Sequence, residues 1–310
     1  MVEETAKELE KARLEKVQQI GPELFKFSFS TPPGKKDLLV EIGKRMNLTR
    51  YSLKAPEKPS QLSILLRKHL ENKRLESIAQ HGFDRVVVLK FADFSLILEF
   101  FSRGNMLLLD SEGKILLTFR GEEWKDRTLK KEQKYIFPKG ASNPYEINLS
   151  DFKKIFTEND AVRSLVKSLS FGGDYAEEIC SLAGVEKNTQ KPADSDKESL
   201  FKAMKKMIES KTSPVMQDNR LFPFSLSKFD VQKKYNSMNE AIDDFYLTEQ
   251  EESPKLKKLR KRLEEQISAS VKFEKETEEN KIKGDLIYSN YSVIENSIKN
   301  KKGKVTLDLD

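Results

Sequence analysis

The sequence is poor in the residues that build metal and redox sites. Of 310 residues, one is cysteine (Cys180) and two are histidine (His69 and His81). A single cysteine excludes a disulfide within the chain and any Cys-rich zinc site, and it fits a reducing compartment. Two histidines are too few for a His-based metal centre, so neither metal nor small-molecule cofactor is expected. Long apolar runs are also missing: none reaches the roughly 18 residues that a membrane helix needs. The first residues, Met-Val-Glu-Glu-Thr-Ala-Lys-Glu, carry acids where a secretory signal carries bases, and they lack its apolar stretch. The expectation is a cytoplasmic protein with no membrane segment. An excess of one charge sign is absent as well. Lys and Arg number 56 against 50 Asp and Glu, a net +6, so a polyanionic partner must be argued from where the bases cluster.

Short apolar stretches fill the first part of the chain. Leu38–Ile42, Val86–Leu89, Leu96–Phe101, Met106–Leu109 and Ile115–Leu117 read as strands. Arg103-Gly104-Asn105 and Asp110-Ser111-Glu112-Gly113 supply turn residues between the later ones, which predicts an antiparallel meander. One helix interrupts them. Leu62, Leu65, Leu66 and His69 share a face, while Arg67, Lys68, Lys73 and Arg74 lie on or beyond the other. From about Asn148 to Ser210 the pattern turns helical, over Ala161–Leu169, Tyr175–Ala183 and Lys197–Ile208, broken by Gly172-Gly173 and Gly184. Ser195 to Glu198 offer caps for the last helix. Residues 211–249, with Pro214, Pro223 and scattered aromatics, read as an extended connector ending in a short helix, Asn239–Tyr246.

Beyond Pro254, steps of three and four from Leu256 to Ile298 hold one heptad phase. It is apolar at its ends (Leu256, Leu259, Leu263; Ile287, Ile294, Ile298) and polar in the middle (Gln266, Ser270, Thr277, Asn280). This predicts one arm of a coiled coil whose return helix is missing, and hence part of a longer chain. The fold class expected is α+β: an antiparallel β-rich domain over 1–146, a helical domain over 147–210, the connector, and the arm over 250–310.

Two constellations could carry function. Phe171-Gly172-Gly173-Asp174-Tyr175 places a glycine pair ahead of a helix, where backbone N–H groups at the positive dipole end suit a phosphate. The same glycines could instead let two helices pack closely. Gly82-Phe83-Asp84-Arg85 places an acid and an arginine at the start of a strand. There they can offer an acceptor beside a planar five-donor fork, which suits a base edge or a nucleotide loop. An ordinary solvated charge pair at a turn is the alternative.

Gly173, Asp174, Tyr175, Glu178 and Ala183-Gly184-Val185 resemble, over about fifteen residues, the helix–two-turn–helix of formamidopyrimidine-type DNA glycosylases. The N-terminal proline and the four-cysteine finger of those enzymes have no counterpart in this sequence, since the second residue is Val2 and only one cysteine exists. A second resemblance covers nearly the whole chain. Leu66-Arg67-Lys68-His69-Leu70, Gly82-Phe83-Asp84-Arg85, Arg103 to Asp110, Tyr175 to Ile179, Asn239 to Tyr246 and Gly284 to Tyr291 resemble, in order, six motifs of the NFACT family of ribosome-associated quality-control factors. The resemblance implies a glycosylase-like N-terminal domain, a helix–hairpin–helix domain and a coiled-coil arm. It implies a non-enzymatic factor that binds a large ribosomal subunit holding stalled peptidyl-tRNA and recruits charged tRNA, alanyl-tRNA among the candidates, for template-free tailing. Asp84 and Arg85 would meet the tRNA, with Arg67, Lys68 and Arg74 as further phosphate contacts and Gly172, Gly173 and Tyr175 as the grip on the backbone. The family's N-terminal Ser-x-x-Asp segment and its C-terminal RNA-binding domain find no match, as expected from truncation or from a divergent paralogue. A base-excision glycosylase/lyase and a matrix-binding adhesin are the rival readings.

Overall fold

The computed structural model describes residues 1–295 apart from 102, 125, 126, 158, 159, 252, 253 and 293. In chain order, helix α1 (Val2–Glu8) leads into strands β1 (Arg13–Gln19), β2 (Leu24–Thr31), β3 (Gly34–Glu41) and β4 (Arg45–Thr49), and then helix α2 (Gln61–Leu70). Strands β5 (Leu75–Gln80), β6 (Val86–Phe91), β7 (Phe94–Glu99), β8 (Asn105–Asp110) and β9 (Ile115–Thr118) follow, with the two-residue strands β10 (Glu122–Glu123) and β11 (Thr128–Leu129). Helices α3 (Leu149–Lys154), α4 (Ala161–Leu169), α5 (Gly173–Ala183) and α6 (Asp194–Ile208) come next. Strands β12 (Val215–Gln217), β13 (Arg220–Phe222) and β14 (Val231–Lys234) precede α7 (Met238–Glu251) and α8 (Pro254–Ser289). The chain divides into two compact units, one from Met1 to Tyr246 and one beginning at Leu247.

The first unit is α+β with antiparallel sheets, as expected. Strands β1 to β4 form one sheet and β5 to β9 another, each in sequence order. Alternation decides which side chains meet. Phe25, Phe27 and Phe29 share one face of β2, and all are fully buried. They meet Val87, Leu89, Leu96, Leu98, Met106 and Leu108 from one face of the second sheet. The residues between these, Val86, Ile97, Leu107 and Leu109, turn to the other face and pack with Ile115, Leu129 and Tyr135. Both faces of the second sheet are therefore covered, which explains why its strands read as continuous apolar runs. On α2 the buried positions are Ser63, Leu66 and Leu70, one step round from the expected face; Leu62 and Leu65 are half-buried, and His69 meets the ring of Phe94 edge-on at 5.2 Å.

The two sheets approach closely at one glycine pair. Gly104, in the β7–β8 turn, has φ +68°, and a Cβ there would lie 2.2 Å from the Cα and N of Gly43 in the β3–β4 turn. Arg120 holds the crossing by donating to the carbonyl of Gly104 (2.7 Å) and pairing with Glu23.

Helices α3 to α6 close on a separate core that includes Phe152, Leu165, Phe171, Ile179, Leu200 and Met204. Asp160 caps α4 through the N–H of Arg163 at 2.8 Å. The cap of α6 is Ala193, two residues before Ser195: Asp196 accepts from the N–H of Ala193 at 3.2 Å, and Ser195 lies inside the helix. The expected connector over 211–249 is instead a three-stranded antiparallel sheet in the order β13–β12–β14, followed by a longer helix. Asp218 and Asn219, at φ +50° and +53°, make the tight hairpin between β12 and β13. Strands of three or four residues leave no periodicity to detect.

In the second unit α8 runs for 36 residues. Its heptad positions Leu263, Phe273 and Ile287 are exposed, as is Tyr291 just beyond its end. Ile298 and the sequence after it lie outside the described residues.

Candidate nucleic-acid interface

The two sequence constellations, far apart in the chain, line one cavity. It has a volume of 740 Å³ and is bordered by Gln80, Phe83, Asp84, Arg85, Phe101, Lys139, Gly140, Phe171, Gly172 and Tyr175, among others. The β5–β6 hairpin supplies Asp84 and Arg85. Its turn is closed by His81 N–H donating to Val86 O (2.9 Å) and Asp84 N–H donating to His81 O (3.1 Å), with Gly82 at φ +54°. The side-chain amide of Gln80 donates to Asp84 O at 2.9 Å, and Arg85 O accepts from Phe100 N–H at 2.7 Å. The turn is thus tied to both neighbouring strands.

Phe83 brings the hairpin to the helices. Its ring meets Phe171 at 5.5 Å and Tyr145 at 6.0 Å, both edge-on, and packs against the helical core. The α4–α5 turn therefore faces Asp84 and Arg85. Asp84 is half-buried and Arg85 is exposed. Among the described residues neither side chain, nor that of Lys139, has a hydrogen-bond or ion-pair partner. A pair that merely closed a turn would be expected to bond within the turn; these groups point their capacity at the cavity.

The glycine pair has no packing role. A Cβ on Gly173 would meet nothing within 4 Å, and one on Gly172 would make only ordinary contact with Tyr175 at 3.5 Å. Close helix packing does not require them. The amides at the start of α5 have no carbonyl within the helix to donate to, and Asp174 beside them is neutralised by Arg220 at 2.7 Å. Tyr175 packs against Phe222 and Phe224. Burial, followed by the nearby Asp174 carboxylate, pushes its phenol up to about 12. The neighbouring acids are structural. Glu178 accepts from both the N–H and the hydroxyl of Ser227, at 2.9 and 2.7 Å, and Glu177 pairs with Lys228 at 2.8 Å, which ties α5 to the small sheet.

The structure does not bring Arg67, Lys68 and Arg74 to this cavity. They lie around the start of β5, whereas Asp84 follows its end, roughly 20 Å of strand away. Arg67 also turns inward, with its Nε donating to Val17 O at 2.6 Å. Lys68 and Arg74 are exposed. Sequence reasoning missed Gly140. Its Cα lies against the Asp84 carboxylate so closely that a Cβ would fall 2.5 Å from Oδ2. Among the described residues no group of three or more His, Cys, Asp or Glu is placed to hold a metal, and no helix is long and apolar enough to cross a membrane.

Two antiparallel sheets joined to a helical bundle are an architecture shared with solved structures. A fibrinogen-binding protein from Staphylococcus aureus superposes with a TM-score of 0.67 at 23% identity, covering 79% of this chain and 96% of that one. The N-terminal part of a fibronectin/fibrinogen-binding protein from Streptococcus suis gives 0.66 at 20%, covering 77% and 93%. At such identities the likeness shows the fold alone. The sequence goes further: the description of NFACT N-terminal and middle domains matches residues 1–296, and the chain belongs to that family. It is similar to the archaeal Rqc2 homolog aRqcH of Methanocaldococcus jannaschii, 35% identical over 296 residues, 84% of this chain and 44% of that protein. It is also similar to the ribosome quality control complex subunit NEMF of Homo sapiens, 24% identical over 356 residues, covering 92% and 31%. The chain thus spans less than half the length of these relatives.

Proposed function

We propose that this chain is the tRNA-recruiting part of a cytoplasmic ribosome quality-control factor. It binds a large ribosomal subunit that still holds stalled peptidyl-tRNA, and it recruits charged tRNA, with alanyl-tRNA as the candidate species, for template-free extension of the nascent chain. Peptide transfer belongs to the ribosome, so the chain positions substrates and performs no bond chemistry itself. In this reading residues 1–146 form the NFACT N-terminal domain, 147–210 a helix–hairpin–helix domain gripping RNA backbone through Gly172, Gly173 and Tyr175, 211–249 the small sheet and helix that follow it, and 250–310 the base of a coiled-coil arm.

The observation that carries the reading is the shared cavity. It combines Asp84, Arg85 and Lys139, whose side chains have no ionic or hydrogen-bond partner among the described residues, with aromatic walls from Phe83, Phe101 and Phe171, and open amides at the start of α5. Aromatic faces suit bases, cations and helix N-termini suit phosphates, and an Asp–Arg pair suits a base edge. Family membership and the names of the relatives support the same assignment. The test is Asp84→Ala with Arg85→Ala. Contacts to base edges specify more than they attract, so ribosome association should persist while selective tRNA recruitment and tailing are lost. Sequencing the RNA bound to wild type and variant decides it: unchanged tRNA enrichment in the variant would overturn the assignment.

A further inference from the structure

Trp124 is the single tryptophan of the chain, and it belongs to none of the hydrophobic cores, although it is the largest apolar side chain available. It directly follows β10, 41% exposed, with its backbone N–H donating to Arg127 O at 2.9 Å. One face of the indole is occupied by the guanidinium of Arg127, whose Cζ lies 4.6 Å from the ring centroid. The same Cζ lies 5.4 Å from the ring of Phe101, a wall of the cavity that holds Asp84 and Arg85. Arg127 is not a mobile surface arginine. It is 8% exposed and held by Glu99 through two hydrogen bonds, Nη1 to Oε1 at 2.6 Å and Nη2 to Oε2 at 3.2 Å. Glu99 is itself 2% exposed and also accepts from the Tyr135 hydroxyl at 2.8 Å. The buried network fixes the guanidinium, and the guanidinium fixes the indole. Among the described residues no other ring or cation contacts Trp124.

We propose that Trp124 is a stacking platform for an unpaired RNA base, placed one side chain beyond the cavity and holding the neighbour of the base taken at Asp84 and Arg85. The inference rests on the RNA-binding reading above. A solvent-exposed indole with one face backed by a fixed planar cation loses little freedom when a base closes on the other face, and base–aromatic stacking tolerates any sequence. A peptide ligand would need backbone donors or acceptors beside the indole, whereas the groups next to it in the stack are an arginine already paired and a phenylalanine.

Having one tryptophan makes the test direct, because all indole emission reports this position. The chain is titrated with bulk deacylated tRNA and with single-stranded hexauridylate, and indole fluorescence and anisotropy of labelled RNA are recorded together. A base-free ribose-phosphate oligomer is the control. Both RNAs should quench the indole as they bind, and the base-free oligomer should not. Trp124→Ala should weaken RNA binding about 5- to 100-fold, Trp124→Phe should restore most of it, and the melting temperature should hold because Arg127 keeps Glu99. RNA binding by anisotropy with no quenching, or with full affinity in Trp124→Ala, would overturn the platform and leave the RNA reading standing. Absence of RNA binding by either measure would overturn both.

Discussion

Replacing Gly140 with alanine should separate the function of Asp84 from the stability of the fold. The added methyl would sit 2.5, 2.6 and 2.8 Å from Oδ2, Oδ1 and Cγ of Asp84, against an ordinary contact of 3.4 Å or more, so the carboxylate must retreat by about an ångström. The three nearest atoms all belong to that one side chain. The Gly140 backbone is outside the left-handed region, and the Asp84 carboxylate has no hydrogen bond to break among the described residues. The cost to folding is that of one displaced rotamer, about 0.5–1.5 kcal/mol, or about 1–6 °C in melting temperature for a unit of this size. The cost to recognition is larger. A retreat of that size takes a carboxylate out of hydrogen-bond range of a base amine, and a hydrogen bond to a charged group contributes about 1.5–3 kcal/mol. The variant should therefore bind tRNA about 10- to 100-fold more weakly while melting almost as wild type. Labelled-tRNA anisotropy and a melting curve on the same sample measure both. The decisive comparison repeats Gly140→Ala in an Asp84→Ala background, where it should have no further effect, because the two changes act through one carboxylate. An undiminished further loss there would refute the reasoning, as would full tRNA affinity in the single variant.

Three further outcomes are expected. Gly104→Ala should destabilise the first unit by about 2–4 kcal/mol, since it combines a left-handed backbone with a clash against the Gly43 main chain. Gly113→Ala, at φ +81° with nothing within 4 Å, should cost only about 1–2 kcal/mol, and urea unfolding of the pair measures the difference. Lys68→Ala and Arg74→Ala should each flatten the salt dependence of RNA binding by up to about one unit if they touch phosphate, whereas Arg67→Ala should leave the slope alone and lower stability by about 1 kcal/mol through its lost bond to Val17 O. Burial, then the nearby Asp160 and Glu177, pushes the Cys180 thiol up to about 11. At pH 8 only about 0.1% would be thiolate, so the native chain should resist iodoacetamide and react rapidly once urea unfolds it.

The difference between what was legible in the sequence and what was not follows from the distance over which each signal acts. Val86–Leu89 and Met106–Leu109 read as strands because both faces of their sheet are covered, so every position is apolar. The alternation of Phe25, Phe27 and Phe29 marks a strand with equal force, yet the polar residues between them break the run that a search for apolar stretches follows. Glycines show the same division. Gly104 is legible as a turn residue from its own neighbours, but its second requirement, the approach of Gly43, comes from another sheet. Gly140 carries no local signal at all, because what excludes a side chain there is a carboxylate distant in sequence. The basic helix misleads for a related reason. Arg67 looks like a surface cation by helical phase, but the backbone carbonyl of a neighbouring strand captures it. The site itself depends on the least conspicuous of these residues. Phe83 reads as the apolar member of a charged turn. In the fold its ring seats between Phe171 and Tyr145, and that contact turns an Asp–Arg pair on a sheet and a glycine pair on a helix into two walls of one cavity.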